Sequence, residues 1–514
     1  MYIVHFTDAG NMGKEERRLL LGGKGASLVE MSTDLALSVP PGFVITTEAF
    51  HRFHKDQSLS FLEEEITKSM SVIETFTGRS FGNPDNPLLV SVRSGAPISM
   101  PGMMDTILNL GLNEQTTSGL AVKSNSVFAS ECRSRFESMF HDIVIQKGKK
   151  DLPHAPSDVW QQLYLAIEAV FHSWDSPRAQ AYREVEGISD DFGTAVTVQA
   201  MVFGNTGENS GTGVLFTRNP STGEDEFFGD YLSDAQGEDV VSGSHQTLGL
   251  KEMERIVPEA FQELVEVAKL IENAATDMSD IEFTVEDRKL WILQSRVGKR
   301  TPIAAIRIAV EMATDPDFPL TRQEAILRLT PGQLQSAIGM DQVAESSPPI
   351  AKGLGASPGV ATGHLVFTAD SAVEESDKGI DVVLIRPETS PADVHGMAVS
   401  QGIITATGGL ASHAAVVARG WGIPAVVGVS ILSLSEDLAV FGDITLPRGE
   451  IVTLDSTTGE IFFGDTKIGI SKTIPAVDAL LTWIEEELRE IQVELPSDAS
   501  FGERLETVQT SNSL

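Results

Sequence analysis

Residues 402–424, GIITATGGLASHAAVVARGWGIP, leave the backbone few choices. GIITAT reads as a strand, Gly408 and Gly409 break it, and Ser412 is a good N-cap for a helix opening at His413. Gly420 and Gly422 stop that helix, with Pro424 beyond. A histidine is thereby set at a helix N-terminus, where free N–H groups and the positive dipole end favour an anion on the ring. Ala411, Ala414 and Ala415 leave room for a bulky group to approach. A neutral imidazole is a good nucleophile, and a phosphoryl group on its nitrogen stays reactive enough to be handed on. The competing reading is a histidine that only caps or packs, and spacing alone leaves the two near even.

The chain has 514 residues, too many for one core, so two to four domains are expected. Residues 1–300 read as an α+β body with a helical insert at about 115–190. LLVSV (88–92), TAVTVQAMVF (194–203), GTGVLFTRN (211–219) and KLWILQSR (289–296) are its strands. In the insert, Leu163, Ile167, Val170 and Phe171 form one apolar helical face. Residues 301–350 read as a helical connector ending in an exposed linker at 341–350. Residues 351–466 form a compact Gly- and Val-rich unit with short strands such as DVVLIR (381–386). In 467–514, Val477, Leu480, Leu481, Ile484, Leu488 and Ile491 share a helical face. That face is expected to pack on its own domain, the alternative being a docking helix for another protein. The last twenty residues, being polar, are expected to be loose.

Charge excludes some partners. Lys and Arg total 38 against 73 Asp and Glu, a net charge of −35, which repels nucleic acid and anionic membranes. Cys132 is the only cysteine, so an intrachain disulfide framework and a thiolate-rich zinc site are excluded. The N-terminus MYIVHFTDAG lacks the pattern of a signal peptide, and no apolar run reaches the ~18 residues of a membrane span, so a cytoplasmic protein is expected.

Several segments could meet phosphate. There is no GxxxxGK[ST], which excludes a P-loop. Lys24 lies between glycines in GGKGAS, where a backbone turn and an ammonium could both reach phosphate. Arg93 follows an apolar strand in SVRSGA, a place suited to bidentate phosphate contact. For Lys24 the alternative is a solvated side chain, and for Arg93 a surface salt bridge. SMPGMMDT (99–106) could be a mobile flap with exposed methionines, or ordinary core methionine. In DIEFTVEDRKLWILQSR (280–296), alternation puts Asp280, Glu282 and Thr284 on one strand face. EDRK reads as a hairpin turn, after which Gln294 and Arg296 share a face. Carboxylate with amide oxygen suits Mg²⁺, and the arginine could balance triphosphate charge; a solvated hairpin face is the alternative.

LLGGKGASLVEM, PPGFVITTEAF, LLVSVRSGA, SMPGMMDTILNLGLN, SGTGVLFTRNPSTGE, AQGEDVVSG, DIEFTVEDRKLWILQSRVGKRT and GGLASHAAVVARGWGIPAVVG together resemble the pyruvate, phosphate dikinase family, in that family's order. The resemblance covers most of 1–300 and 350–465. It implies an ATP-grasp-type nucleotide-binding domain followed by a swivelling phosphohistidine β/α domain. In the family, ATP is cleaved to AMP, inorganic phosphate takes the terminal phosphoryl group to give pyrophosphate, and a histidine carries the other phosphoryl group to pyruvate. By motif match, Lys24, Arg93 and Arg296 would bind ATP phosphates, with Asp280 also in the ATP site. Glu282 and Gln294 would hold Mg²⁺, Gly102 would belong to a flexible loop over the nucleotide, and His413 would be the phosphoryl carrier.

Two departures qualify the resemblance. About fifty residues follow the histidine unit, too few for the family's pyruvate-binding barrel of ~250 residues, so the final acceptor is expected on a separate protein or a free small molecule. The sequence is also read as compatible with a fragment of a longer product. Where the family often carries a regulatory threonine two residues before the histidine, this chain has Ala411, and that control is expected to be absent. The alternatives weighed are a phosphoenolpyruvate synthase- or rifampin phosphotransferase-like kinase, and a non-catalytic nucleotide-binding regulator. A homo-oligomer is compatible with all of these.

Overall fold

The computed structural model describes residues 1–514 except 9–11, 99, 101–102, 149–151, 242–247, 339–347, 358, 411, 436–437, 467–474, 494, 497–498 and 513–514. The expected linker therefore lies largely outside the described residues. Two compact units partition the chain, Met1–Gly211 with Phe283–Ser295, and Thr212–Glu282 with Arg296–Leu514. The whole is a multidomain α/β protein.

The first unit is built on an antiparallel sheet ordered Ile3–His5, Gly42–Ile45, Ala195–Ala200, Val90–Gly95, Thr106–Leu110. Every residue of Ala195–Ala200 is buried, as expected of a strand covered on both faces. Gln199 is accommodated because its amide donates to the Pro40 carbonyl at 3.1 Å. The expected insert is helical, with Glu114–Lys123, Ser126–Phe140, Val159–His172 and Pro177–Glu186. Asn113, Asn125, Asp158 and Ser176 cap these helices with side-chain oxygens. Leu163, Ile167, Val170 and Phe171 lie in the core, on the predicted face.

A second sheet is ordered Leu248–Gly249, Phe228–Ser233, Gly211–Phe216, Ser279–Glu286, Lys289–Val297. The predicted EDRK turn closes its hairpin. Asp287 and Arg288 both take left-handed backbone, φ +48° and +67°, as a two-residue turn matched to strand twist requires.

In the second unit, a sheet is ordered Ala351–Lys352, Glu460–Phe463, Ile451–Asp455, Val360–Val366, Val382–Arg386, Gly402–Thr405, Ala425–Val427, Leu354–Ser357. Its middle is parallel, from Val360–Val366 through Ala425–Val427. Those strands are apolar because helices or strands cover both faces: Val383, Ile385 and Ile404 enter one core, and Val382, Leu384 and Ile403 another.

Pro302–Thr314, Pro331–Ile338, Pro475–Glu490 and Phe501–Asn512 form a helical cluster in the same unit. Leu480, Ile484 and Leu488 are buried there, so the amphipathic helix packs within the chain. The end of the chain corrects an expectation. Residues 501–512 are not loose: Leu505 and Val508, one helical turn apart, are fully buried, and the Gln509 amide donates to the Ile326 and Leu329 carbonyls. Among the described residues no helix is long and apolar enough to cross a membrane.

Candidate functional site

Val382–Arg386 and Gly402–Thr405 run parallel with Arg386 opposite Thr405, so the loops that leave them emerge at one edge. Open α/β sheets place ligands at such carboxyl-terminal strand edges. From the second loop rises the helix His413–Trp421, which ends at Gly422 with φ +70°. Ser412 occupies the N-cap as predicted, but its hydroxyl makes no capping bond and is buried with no partner among the described residues. His413 is half-buried, and its Nδ1 lies 3.0 Å from Thr389 Oγ1. Burial pushes the imidazole below its ordinary pKa of 6.5, against an opposing pull from the Asp393 charge. The ring is therefore neutral at pH 7. Ala414 and Ala415 are buried in the core, so they seat the helix on the sheet rather than clear space beside the ring. Ala411 lies outside the described residues.

Arg419 was not singled out in the sequence. Its guanidinium is 1% exposed and donates to the Ala356 carbonyl at 2.9 Å and the Leu410 carbonyl at 2.6 Å. It lies 5.2 Å from the centre of the Phe216 ring. Burial pushes its pKa down to about 10, with Asp280 and Asp230 opposing. It thus binds the turn before the histidine to the helix that carries it.

The hairpin brings three predicted residues together. Arg296 Nε donates to Asp280 Oδ2 at 2.8 Å, and Arg296 Nη2 stands 3.6 Å from Glu282 Oε1. Asp280 is 3% exposed, and burial raises its pKa despite Arg296. Burial alone would lower Arg296, but Asp280 and Glu282 hold it above its ordinary value. Asp280 Oδ1 is buried without a hydrogen-bond partner among the described residues. Gln294 is 8% exposed and, two residues before Arg296 on one strand, shares its face. Among the described residues no group of three or more His, Cys, Asp or Glu gathers as a metal cage.

Lys24 and Arg93 meet through glycine. The helix Lys14–Val29 is interrupted at Gly22, φ +69°, ψ +164°, and Gly23 N–H donates to the Ala96 carbonyl at 2.9 Å. A Cβ on Gly22 would stand 1.7 Å from the Gly95 carbonyl oxygen. That close approach sets Lys24 beside the end of Val90–Gly95, the strand that carries Arg93. Gly102 lies outside the described residues. Met100 and Met103 are buried in the core, which corrects the expectation of exposed methionines in that segment. Next to them Asp105, 6% exposed, receives Lys147 at 2.8 Å and Arg178 at 2.5 Å, and Arg178 also donates to the Met103 carbonyl.

Residues 18–80 and 60–247 match the family "Pyruvate phosphate dikinase, AMP/ATP-binding domain", and residues 380–459 match "PEP-utilising enzyme, mobile domain". The chain is 44% identical over 548 residues to pyruvate, phosphate dikinase 1, chloroplastic, of Arabidopsis thaliana, an alignment covering 97% of this chain and 56% of that protein. It is 40% identical over 553 residues to pyruvate, phosphate dikinase 2 of Zea mays, with 97% and 62% covered. To the chloroplastic pyruvate, phosphate dikinase of Flaveria trinervia it is 42% identical over 534 residues, with 95% and 56% covered. The chain spans less than two thirds of the length of these relatives. Sheet, histidine helix and matches define a protein that joins an AMP/ATP-binding domain to a mobile domain of the PEP-utilising kind. Over nearly all of its own length the chain is similar to pyruvate, phosphate dikinases.

Proposed function

We propose that this chain is an ATP-dependent phosphotransferase of the dikinase type. ATP, with inorganic phosphate as co-substrate, phosphorylates His413 and is released as AMP and pyrophosphate; the histidine then passes its phosphoryl group to pyruvate or another acceptor. The observation that carries this reading is His413 itself: a neutral ring at a helix N-terminus, on the carboxyl-terminal edge of a parallel sheet. In the proposed organisation, residues 1–300 are an ATP-grasp-type nucleotide-binding domain and 351–466 a swivelling phosphohistidine domain. Residues 301–350 connect them, and the helices after 466 complete the connector's core.

Lys24, Arg93 and Arg296 are proposed to bind the ATP phosphates, with Asp280 also in the ATP site and Gly102 in a loop over the nucleotide. Glu282 and Gln294 are proposed to hold Mg²⁺. The donor set fits, because Mg²⁺ takes one or two carboxylates and fills its remaining positions with water and phosphate oxygens. The unpartnered Asp280 Oδ1 beside them is an acceptor that a cation would satisfy. Mg²⁺ bound there would supply positive charge to the triphosphate. Arg296 now contacts both carboxylates, so it would shift its contacts towards phosphate when the cation is present.

The test incubates the chain with ATP and Mg²⁺, with and without inorganic phosphate. Labelling of His413 with AMP release only when phosphate is present supports the dikinase reaction. Labelling without phosphate points to water as the second acceptor, and an unmodified His413 throughout overturns the proposal.

A further inference from the structure

A second side chain holds the histidine. Thr389 lies between Arg386, the last residue of Val382–Arg386, and the turn Pro391–Asp393. That segment is pinned at both ends. Ser390 N–H and Oγ–H reach Asp393 Oδ2 at 2.8 and 3.0 Å, and Arg386 Nε stands 3.2 Å from Asp393 Oδ1. Arg386 also donates to the Phe367 carbonyl at 2.9 Å. Thr389 is 5% exposed, and its Oγ1 is 3.0 Å from His413 Nδ1. Asp393 acts on the ring through charge, while its oxygens are engaged by Ser390 and Arg386. The direct partner of the imidazole is thus a hydroxyl, in the position where a reactive histidine needs a third group to orient it.

A neutral imidazole carries its proton on one nitrogen or the other. A proton on Nε2 would leave that atom without its lone pair for attack. A proton on Nδ1, donated to Thr389, leaves the Nε2 lone pair exposed. We propose that Thr389 is a positioning residue that accepts the Nδ1–H of His413, fixes the ring's rotation and tautomer, and so presents Nε2 as the atom that takes the phosphoryl group. The proposal rests on the reading of His413 as phosphoryl carrier. As the Nε2–P bond forms, the bond from phosphorus to the departing phosphate oxygen breaks, and its electron pair leaves with that oxygen. The Nδ1 proton stays on the ring and on Thr389. The ring's new positive charge is balanced by the attached phosphoryl oxygens and by the charge of Asp393.

The experiment compares the full-length wild type with Thr389→Val and Thr389→Ser, using ¹⁵N-labelled imidazoles and His413→Gln to assign the signal. Without nucleotide, the wild type is expected to show the proton on Nδ1. Thr389→Val is expected to move it to Nε2 or to a mixture, and Thr389→Ser to restore it. Under phosphorylating conditions, label on Nε2 should form about three- to tenfold more slowly in Thr389→Val, the worth of one hydrogen bond, and near the wild-type rate in Thr389→Ser. A wild-type proton on Nε2, or an unchanged tautomer in Thr389→Val, overturns the proposal. If the tautomer responds as expected but no chain is ever labelled, the positioning stands and the carrier reading falls instead.

Discussion

Burial keeps the His413 ring from taking up a proton, and that carries a liability. The folded ring resists protonation, while the unfolded ring titrates near 6.5. Above that value both states are neutral and the histidine adds no pH dependence. As pH falls below it, the unfolded state takes up the proton first, and stability declines. Labelling of His413 should therefore persist below pH 6.5 and fail only at lower pH, which a pH series of acid-labile phosphate would show. His413→Ala should abolish labelling while leaving ATP affinity within about twofold, measured by calorimetry, because the ring is not assigned to the nucleotide's ground state. The place of His413 at a helix N-terminus was legible because its signals are local: two glycines, a serine at the N-cap position and an alanine-rich helix lie within a few residues. Thr389 and Arg419 were not. Thr389 meets the ring across 24 residues of chain, and Arg419 meets the Ala356 carbonyl across 63. Neither spacing leaves a pattern that separates them from solvated side chains.

Among elements, alternation and turn chemistry carried furthest. The hairpin was readable from Ile281 and Phe283 alternating with Asp280 and Glu282, and its turn fell where EDRK put it. GGKGAS was readable as a backbone turn, but not as an interruption inside a long helix. The residues preceding Gly22 are themselves helical, and only the strand end against them shows why the chain must kink. Gly22→Ala is expected to cost at least about 2 kcal/mol, because it adds left-handed strain to a backbone clash. A shift of the urea midpoint would measure the loss, and Lys24 and Arg93 should lose alignment with it, weakening ATP binding. The methionines of SMPGMMDT misled because their side chains suit a flap and a core equally well; burial, not composition, decides between them.

At the scale of the molecule, the alternation of strand-rich and helix-rich stretches identified a multidomain α/β chain, and the short apolar strands of 351–466 were readable, while their parallel pairing around His413 emerged only in the sheet itself. The helical cluster was harder to see. Its members come from 302–338 and 475–512, two stretches separated by the whole histidine unit, so each half looked like an edge or a tail. Leu505→Ala should cost about 2–5 kcal/mol if the site cannot collapse around the cavity. Deleting 501–514 should lower the melting temperature by more, read by calorimetry, because it also uncovers the apolar neighbours of that helix. Within the histidine unit, the guanidinium of Arg419 acts as a rivet. It grips the peptide carbonyl of Leu410, shortly before His413, and another on Leu354–Ser357, so a loop flutter cannot carry the imidazole anywhere. For that ring to travel, turn, helix and underlying strands must go with it as one rigid piece.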